Sequence, residues 1–202
     1  TYAAAMKYYV IFTLLAFLCV MGYIDILRYI IGPSYWPGLR VVPIVMAAEI
    51  MFGVFFNLSF WYKLTDRTIW GAWFSGIGCV ILVTIDVLLI PRFGYMACAW
   101  AGFAAYGTSM LISYFVGQRY YPIAYPIGAI MSYVALAVVL FGAISVSNDR
   151  LPLGAAIAVN TVLILIFAAV IVRRDFKAPS GSPKGERPAA LSLIHISEPT
   201  RR

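Results

Sequence analysis

Residues 41–62 read VVPIVMAAEIMFGVFFNLSFWY, an apolar run in which Glu49 is the one charged side chain. A helix needs about 20 apolar residues to cross the hydrocarbon core of a bilayer, which is roughly 30 Å thick. A membrane-spanning strand is shorter and alternates apolar with polar side chains, which this run does not do. Because backbone groups in lipid need hydrogen-bond partners within their own segment, the run predicts a membrane-spanning helix.

Five further runs of the chain have the same length and character. Together with the first, the predicted spans cover residues 8–31, 41–62, 69–90, 96–116, 126–146 and 153–172. The connections between them are short and contain the Gly, Pro, Asn and Asp residues that favour turns. The sequence therefore predicts an all-α integral membrane protein with six transmembrane helices in residues 1–172.

The composition of the whole chain also indicates a membrane protein. Hydrophobic residues make up 63% of the 202 residues and charged residues 11%, against about 45–50% and about 25% in soluble domains. So few charges cannot cover a water-facing surface. This argues against a soluble enzyme, a disordered chain and, despite the net charge of +7, a nucleic-acid-binding protein. The three cysteines form no disulfide framework, because an odd number leaves at least one unpaired.

The distribution of Lys and Arg predicts the orientation, because short cytoplasmic connections carry an excess of these residues. Seven fall at one end of the predicted bundle: Lys7, Lys63, Arg67, Arg119, Arg173, Arg174 and Lys177. Four fall at the other end: Arg28, Arg40, Arg92 and Arg150. The sequence therefore predicts that both ends of the chain are cytoplasmic.

The two ends of the chain differ from the predicted helices. Residues 173–190 are rich in Pro, Gly, Ser and basic residues, which predicts a disordered, basic cytoplasmic tail. Residues 191–202, LSLIHISEPTRR, resemble the translation of a sequencing adapter read through in frame, and they contain the one histidine, His195. Segments of that kind are left out of fold reasoning. Since Thr1 is not an initiator residue, we expect the chain to be a fragment of a longer protein.

Glu49 lies near the middle of its predicted span, where ionisable residues are candidates for function. Gly53 and Asn57 follow at i+4 and i+8, so the three residues form one polar stripe on a helix face. We expect this stripe to face a cavity or a neighbouring helix. Two interpretations stay open. In the first interpretation, Glu49 and Asn57 bind a substrate or a coupling cation, and Glu49 acts as a protonatable gate. In the second, Glu49 is protonated and forms a hydrogen bond to a neighbouring helix, since burial raises the pKa of a carboxyl group.

Asp86, Asp25 and Arg28 are further candidates for binding a substrate or a coupling ion. All three lie near the end of a predicted span, within reach of the membrane interface. Asp25 and Arg28 stand at i and i+3, so they can form an ion pair on one helix face. For these residues the sequence favours interfacial charges and a local ion pair over ligands.

Polar and small residues elsewhere in the spans predict helix packing. Asn160 is expected to form an interhelical hydrogen bond rather than to bind a ligand. Small residues at helical spacing let helix backbones approach closely in lipid. They are Gly71, Ser75 and Gly78 in the third span, and Cys98, Gly102, Ala105 and Ser109 in the fourth.

The sequence lacks the motifs of several enzyme classes. It contains no GxxxxGK[ST] phosphate-binding loop and no Gly-x-Ser-x-Gly nucleophile elbow. It also contains no Cys/His cluster with metal-ligand spacing. The sequence therefore predicts a protein that is not an enzyme and that needs no cofactor and no metal.

Four runs of the sequence carry a family resemblance. They are IGPSYWPGLRVVPI at 31–44, NLSFWYKLTDRT at 57–68, IPRFGYMACAWA at 90–101 and YFVGQRYYPI at 114–123. In this order they resemble the C-terminal part of bacterial polysaccharide flippases, the lipid-linked oligosaccharide branch of the MOP (multidrug, oligosaccharidyl-lipid, polysaccharide) exporter superfamily. The fourth run is similar to members from Bacteroidetes. The resemblance covers about residues 8–175.

The resemblance implies a fold and a function. Members of this family have about 12–14 helices in two bundles around a central cavity, and the helices of this chain would be the last six. The family moves undecaprenyl-diphosphate-linked oligosaccharide repeats across the bacterial inner membrane by alternating access, coupled to H⁺ or Na⁺. The implied partners are membrane lipid, the lipid-linked oligosaccharide and an N-terminal helical bundle of the same polypeptide.

Two alternatives to the flippase stay open. The first is a cation-coupled multidrug or metabolite exporter of the same superfamily. The second is a non-transporting membrane component of polysaccharide assembly. The short connections argue against the second alternative, because they leave no domain outside the membrane for docking or catalysis.

Overall fold

The computed structural model describes residues 2–176, which form helices and short connections without a strand. In chain order these elements are α1 (Tyr2–Gly22), α2 (Ile24–Ile30), a 3-10 helix (Pro33–Val41), α3 (Val42–Leu58), α4 (Phe60–Leu64), α5 (Ile69–Phe93), α6 (Tyr95–Tyr120), α7 (Ile127–Arg150), α8 (Leu153–Ile171) and a terminal π-helix (Val172–Phe176). The predicted all-α class is confirmed for this part of the chain.

The predicted number of six spans is wrong. Within residues 2–176, five helical segments are long and apolar enough to cross a membrane: Tyr2–Gly22, Pro33–Leu64, Ile69–Phe93, Ile127–Arg150 and Leu153–Asp175. The predicted span 96–116 lies within α6, which has 26 residues and is therefore long enough. Its many Gly, Ala, Ser and Thr side chains make it less apolar than the others, because small and hydroxylic side chains carry little hydrocarbon.

Two predicted spans are interrupted in the structure. The first, 8–31, ends its regular helix at Gly22 and continues as the short helix α2 after a turn at Tyr23. The second, 41–62, is divided between α3 and α4 at Ser59. At each interruption the helical hydrogen bonding tightens locally, because Ile26 N–H donates to the carbonyl oxygen of Tyr23 and Ser59 N–H donates to that of Phe56, three residues earlier in both cases.

The helices form two groups that meet along α1 and α3. In the first group α1, α7 and α8 pack against one another, and in the second α6 packs between α3 and α5. The side chains at the centre of the first group are almost completely buried: Leu18, Tyr133, Ile144 and Phe167. An aromatic cluster fills the centre of the second: Phe55, Trp61, Tyr62 and Phe74.

Small residues bring α5 and α6 close together, as the sequence predicted. A Cβ atom on Gly78 would overlap with Oγ of Ser109, so the two backbones approach at this point. The Ser109 hydroxyl donates a hydrogen bond of 3.1 Å to the carbonyl oxygen of Phe74. Since lipid is as apolar as the helix surfaces, packing and hydrogen bonds of this kind hold membrane helices together.

The predicted boundary of the C-terminal tail needs correction. Residues 173–176 continue the last helix as part of the π-helix instead of beginning a disordered tail. The rest of the predicted tail, 177–190, and the adapter-like residues 191–202 lie outside the described residues.

Candidate functional site

Side-chain amides from two other helices form hydrogen bonds to backbone carbonyl oxygens at the interruption between α1 and α2. Nδ2 of Asn160, on α8, donates a hydrogen bond of 2.9 Å to the carbonyl oxygen of Gly22. Nδ2 of Asn148, on α7, reaches the carbonyl oxygen of Met21 at 3.4 Å. Asn160 Nδ2 also donates to Oδ1 of Asn148 at 2.7 Å. We call these four residues the amide cluster, and they confirm the interhelical hydrogen bond predicted for Asn160.

A polar pocket of about 420 Å³ opens beside the amide cluster. It is lined by Asp25, Arg28, Tyr29, Trp36, Asn148, Leu151, Leu153 and Ala156. Asn148 belongs to both the pocket and the cluster, so the pocket connects the cluster with the surface of the protein. Two of the predicted site residues, Asp25 and Arg28, therefore lie in one place.

The predicted ion pair between Asp25 and Arg28 is absent from the described part of the chain, where no salt bridge joins them. The guanidinium of Arg28 instead lies over the ring of Trp36, with its Cζ atom 3.9 Å from the ring centroid. The Trp36 ring is itself fixed, because Nε1 donates to the carbonyl oxygens of Arg28 at 3.2 Å and Ile31 at 3.1 Å. A cation over an indole face is favourable, and it leaves the Asp25 carboxylate without an Arg28 partner.

Glu49 and Asn57 lie on α3, away from the polar pocket. Glu49 is exposed and Asn57 is half-buried. Between them, a Cβ on Gly53 would overlap with the hydroxyl of Tyr9, so α1 packs into the notch that this glycine leaves. The stripe thus meets a neighbouring helix at its centre, while the Glu49 carboxylate lies on the protein surface about midway along the segment Pro33–Leu64.

Asp86 lies by itself on α5 in the second helix group. Its side chain is half-buried, and its Oδ1 atom is buried without a hydrogen-bond partner among residues 2–176. The structure therefore distributes the five predicted site residues over three places. Only Asp25 and Arg28 share a pocket.

A larger cavity of about 870 Å³ lies between the two helix groups. Side chains from α1, α3, α6 and α7 line it, all of them apolar or aromatic, such as Leu14, Ile50, Phe103 and Val134. Tyr125, in the connection between α6 and α7, also lines it. Burial, and to a smaller extent the nearby Tyr114, raises the pKa of Tyr125, so this phenol stays uncharged.

A network of charges joins three segments at the opposite end of α1 from the amide cluster. Asp175, in the terminal π-helix, has a side chain that is 6% exposed and forms an ion pair with Lys7 of α1. The hydroxyl of Tyr133, on α7, donates to Oδ2 of Asp175 at 3.0 Å. Nη1 of Arg174 donates to Oγ of Ser132 at 2.8 Å. These contacts fasten the end of the described chain to α1 and α7.

Sequence reasoning did not find three of these features. Asn148 lies in a predicted connection and Asp175 in the predicted tail. Polar residues are common in such segments, so neither residue was singled out. The apolar cavity has no local sequence signal, because it depends on which helices pack together. The signal that was present is the pair of asparagines on either side of the α7–α8 connection, since an amide within an apolar span is expected to find a partner.

Comparisons with known proteins identify no relative. No protein-family model matches the chain, and no curated protein or solved structure is detectably similar to it. Among the described residues, no group of three or more His, Cys, Asp and Glu side chains is placed to hold a metal ion.

Proposed function

We propose that the chain is the C-terminal part of a bacterial flippase that moves undecaprenyl-diphosphate-linked oligosaccharide repeats across the cytoplasmic membrane during synthesis of surface polysaccharides. The observation that carries the proposal is the cavity of about 870 Å³ between the helix groups. Its apolar and aromatic walls match a long isoprenoid chain, since ligand sites with such walls bind apolar ligands. A protein that moves a polyprenyl-linked sugar needs a surface for the polyprenyl part.

The position of Glu49 supports a transporter rather than a purely structural membrane protein. A carboxylate exposed to lipid at mid-span is costly, by about 2.5–3.5 kcal/mol on insertion scales for charged residues such as Asp. Such residues therefore face water-filled pathways or other helices. In the proposed flippase, the exposed face with Glu49 and Asn57 lines the central cavity, opposite an N-terminal bundle of the same polypeptide.

The proposed orientation follows from the Lys and Arg distribution. The end of α1 that carries Lys7 faces the cytoplasm, and the amide cluster with its polar pocket faces the periplasm. Transport follows alternating access, in which the bundle formed by this chain moves against the N-terminal bundle of the same polypeptide.

A cation-coupled exporter of drugs or metabolites is the second candidate. The same cavity supports it, because apolar walls also accept amphipathic drugs. The substrate distinguishes the two candidates. Deletion of the gene in its own bacterium is expected to remove surface polysaccharide and to leave lipid-linked repeats on the cytoplasmic side. Increased drug sensitivity with normal polysaccharide would support the exporter, and accumulation of undecorated carrier would indicate an assembly enzyme.

A matched pair of variants tests the cavity itself. Val134→Trp places a large side chain on the cavity wall, whereas Val139→Trp makes the same change on the same helix at a site that is 69% exposed and does not line the cavity. We expect Val134→Trp to lower polysaccharide export in the complemented deletion strain by about tenfold or more, since a filled site loses its ligand contacts. Val139→Trp is expected to complement fully. Equal export from both variants at equal protein levels would contradict the role of the cavity.

A further inference from the structure

The polar pocket contains two opposite charges that do not pair with each other. Asp25 and Arg28, both on α2, line its wall, and their spacing of three residues would allow an ion pair. Among residues 2–176, however, no salt bridge joins either of them to another residue. Both charged groups are therefore available to a ligand. The pocket volume of about 420 Å³ lies within the range of about 300–1,000 Å³ that is usual for ligand sites.

Trp36 holds the Arg28 guanidinium in place without using its hydrogen-bond donors. The Cζ atom of Arg28 lies 3.9 Å from the centroid of the Trp36 ring, and the ring is fixed by the two hydrogen bonds of its Nε1 atom. Stacking uses the flat face of a guanidinium, whereas its N–H groups point outward in its own plane. A guanidinium held in this way suits the oxygen atoms of a phosphate or a carboxylate.

The two charges together select against simple ions. A cation in the pocket would be attracted by Asp25 and repelled by Arg28, and an anion would meet the reverse. A zwitterion whose two charges are close together meets both groups favourably. Asn148, which also lines the pocket, adds an amide for a neutral polar part of the same ligand. The pocket therefore suits a small zwitterion.

The pocket lies at the level where the headgroups of a bilayer begin. Asn148, near the end of α7, and Leu153, at the beginning of α8, line it, so it stands at the ends of two segments that are apolar enough to cross a membrane. Exposed Tyr29 lies beside the charges, as aromatic residues do at membrane interfaces. Leu27 and Ile30, on the same short helix, expose apolar side chains that suit contact with acyl chains. The surroundings favour a lipid as the source of the zwitterion.

We propose that the polar pocket binds the headgroup of a phosphatidylethanolamine lipid. The phosphate accepts hydrogen bonds from the Arg28 guanidinium, and the ammonium group donates to the Asp25 carboxylate. Phosphatidylcholine fits less well, because its trimethylated nitrogen has no N–H group to donate to Asp25, and phosphatidylglycerol has no cationic group at all. The proposal does not rest on the proposed function, since it requires only a membrane around the helices.

The test compares three lipids with identical dioleoyl chains. The full chain in detergent is titrated with phosphatidylethanolamine, phosphatidylcholine or phosphatidylglycerol. Thermal unfolding gives Tm, and native mass spectrometry counts the bound lipids. We expect saturable binding of phosphatidylethanolamine that raises Tm, because a ligand of the folded state stabilises it, and an affinity about tenfold lower or less for the other two lipids. Equal binding of all three lipids would overturn the proposal.

Glycerophosphoethanolamine separates a lipid from a water-soluble ligand, because it has the same headgroup without acyl chains. We expect it to displace phosphatidylethanolamine only at concentrations about tenfold higher or more, since it lacks the apolar contacts with α2. Displacement at equal concentrations would overturn the assignment to a lipid and would make the ligand a soluble phosphoethanolamine compound.

Asp25→Asn gives a result that a purely structural role of Asp25 would not produce. The variant removes the negative charge and leaves Arg28, so the pocket becomes positive. We expect the affinity for phosphatidylethanolamine to fall by about tenfold, the usual effect of losing a hydrogen bond to a charged group, and phosphatidylglycerol to become the preferred lipid. Arg28→Gln is expected to lower the affinity for all three lipids, since its guanidinium binds the phosphate that they share.

Two neighbouring residues provide matched controls. Asp149→Asn and Arg150→Gln make the same two changes at exposed positions at the end of α7 that do not line the polar pocket. We expect both controls to bind phosphatidylethanolamine as the unmodified protein does. Unchanged affinity and lipid preference in Asp25→Asn and Arg28→Gln would overturn the proposal, whatever the gene-deletion test shows about the flippase.

Discussion

At the scale of single residues, two glycines set how closely helices approach. A Cβ on Gly78 would overlap with Ser109, and a Cβ on Gly117 would lie 2.8 Å from Nε1 of the buried Trp61. In both places a side chain from a neighbouring segment occupies the space that a Cβ atom would fill. Because the interiors of folded proteins are close-packed, an added methyl group has to move that neighbour.

Gly78→Ala is expected to destabilise the chain by about 1–3 kcal/mol, the usual effect of overpacking. The added methyl displaces Oγ of Ser109 and so breaks its hydrogen bond to Phe74. Thermal unfolding in detergent measures the change. The matched control is Gly76→Ala on the same helix, where nothing lies within 4 Å of the added Cβ. Alanine favours helix over glycine by about 1 kcal/mol, so the control is expected to be neutral or stabilising. Equal effects of the two variants would contradict the close contact.

For several contacts at this scale, the sequence identified one of the two residues but not its partner. The packing role of Gly78 and Ser109 followed from their helical spacing, and the hydrogen bond of Asn160 followed from an amide in an apolar span. The acceptor of that bond, the Gly22 carbonyl, was not predictable, because it depends on an interruption in another helix. The same holds for Arg28, whose partner is an aromatic ring rather than the carboxylate three residues before it.

At the scale of elements, helix positions follow from the sequence better than helix ends do. Every predicted span overlaps a helix, because long apolar runs have one stable backbone arrangement in lipid. The interruption at Tyr23 was missed because residues 24–31 are still mostly apolar, and their two charged residues, Asp25 and Arg28, were expected to pair near the membrane interface. The π-helix at Val172–Phe176 was missed for the opposite reason. Its charged residues looked like a solvated tail, and only the fold brings Lys7 and Tyr133 to Asp175.

The ion pair between Lys7 and Asp175 is expected to hold the terminal π-helix on α1. Asp175→Ala leaves Lys7, which is 22% exposed, without its partner and leaves the Tyr133 hydroxyl without its acceptor. Loss of one member of a buried pair destabilises by about 3–5 kcal/mol, and partial exposure of Lys7 reduces this to about 1–3 kcal/mol. Chemical unfolding of the chain in mixed micelles measures the change.

The double variant Lys7→Met with Asp175→Leu removes both charges, so it distinguishes the contribution of the ion pair itself from the cost of leaving Lys7 without a partner. It is expected to recover most of the lost stability, because two apolar side chains replace two paired charges. The exposed residue Asp149 provides the control, since Asp149→Ala is expected to change stability by less than about 0.5 kcal/mol. A double variant as unstable as Asp175→Ala would show that the network does not depend on charge pairing.

At the scale of the whole molecule, the cavity and the amide cluster arise from contacts between distant parts of the chain. α1 packs on α7 and α8, and α3 packs on α6, so neighbours in space are far apart in sequence. A single sequence predicts the helices but not their pairing, since all helix surfaces in lipid are similarly apolar. For this reason the sequence alone drew attention to Glu49, which is recognised from its own span, but could not predict the apolar cavity, which depends on how the helices pack together.

Glu49→Leu is expected to raise the stability of the chain in nanodiscs and to lower polysaccharide export in the complemented deletion strain. An exposed mid-span carboxylate is unfavourable in lipid, so its removal raises Tm, whereas the proposed transport pathway needs the polar group. Opposite changes in stability and activity are typical of functional sites, where strain or desolvation is retained for function. The matched control is Val45→Leu, one turn earlier at a position that is 40% exposed, which is expected to change neither quantity. A Glu49→Leu protein with lower Tm would indicate a stabilising contact, and unchanged export at every pH would remove Glu49 from the pathway.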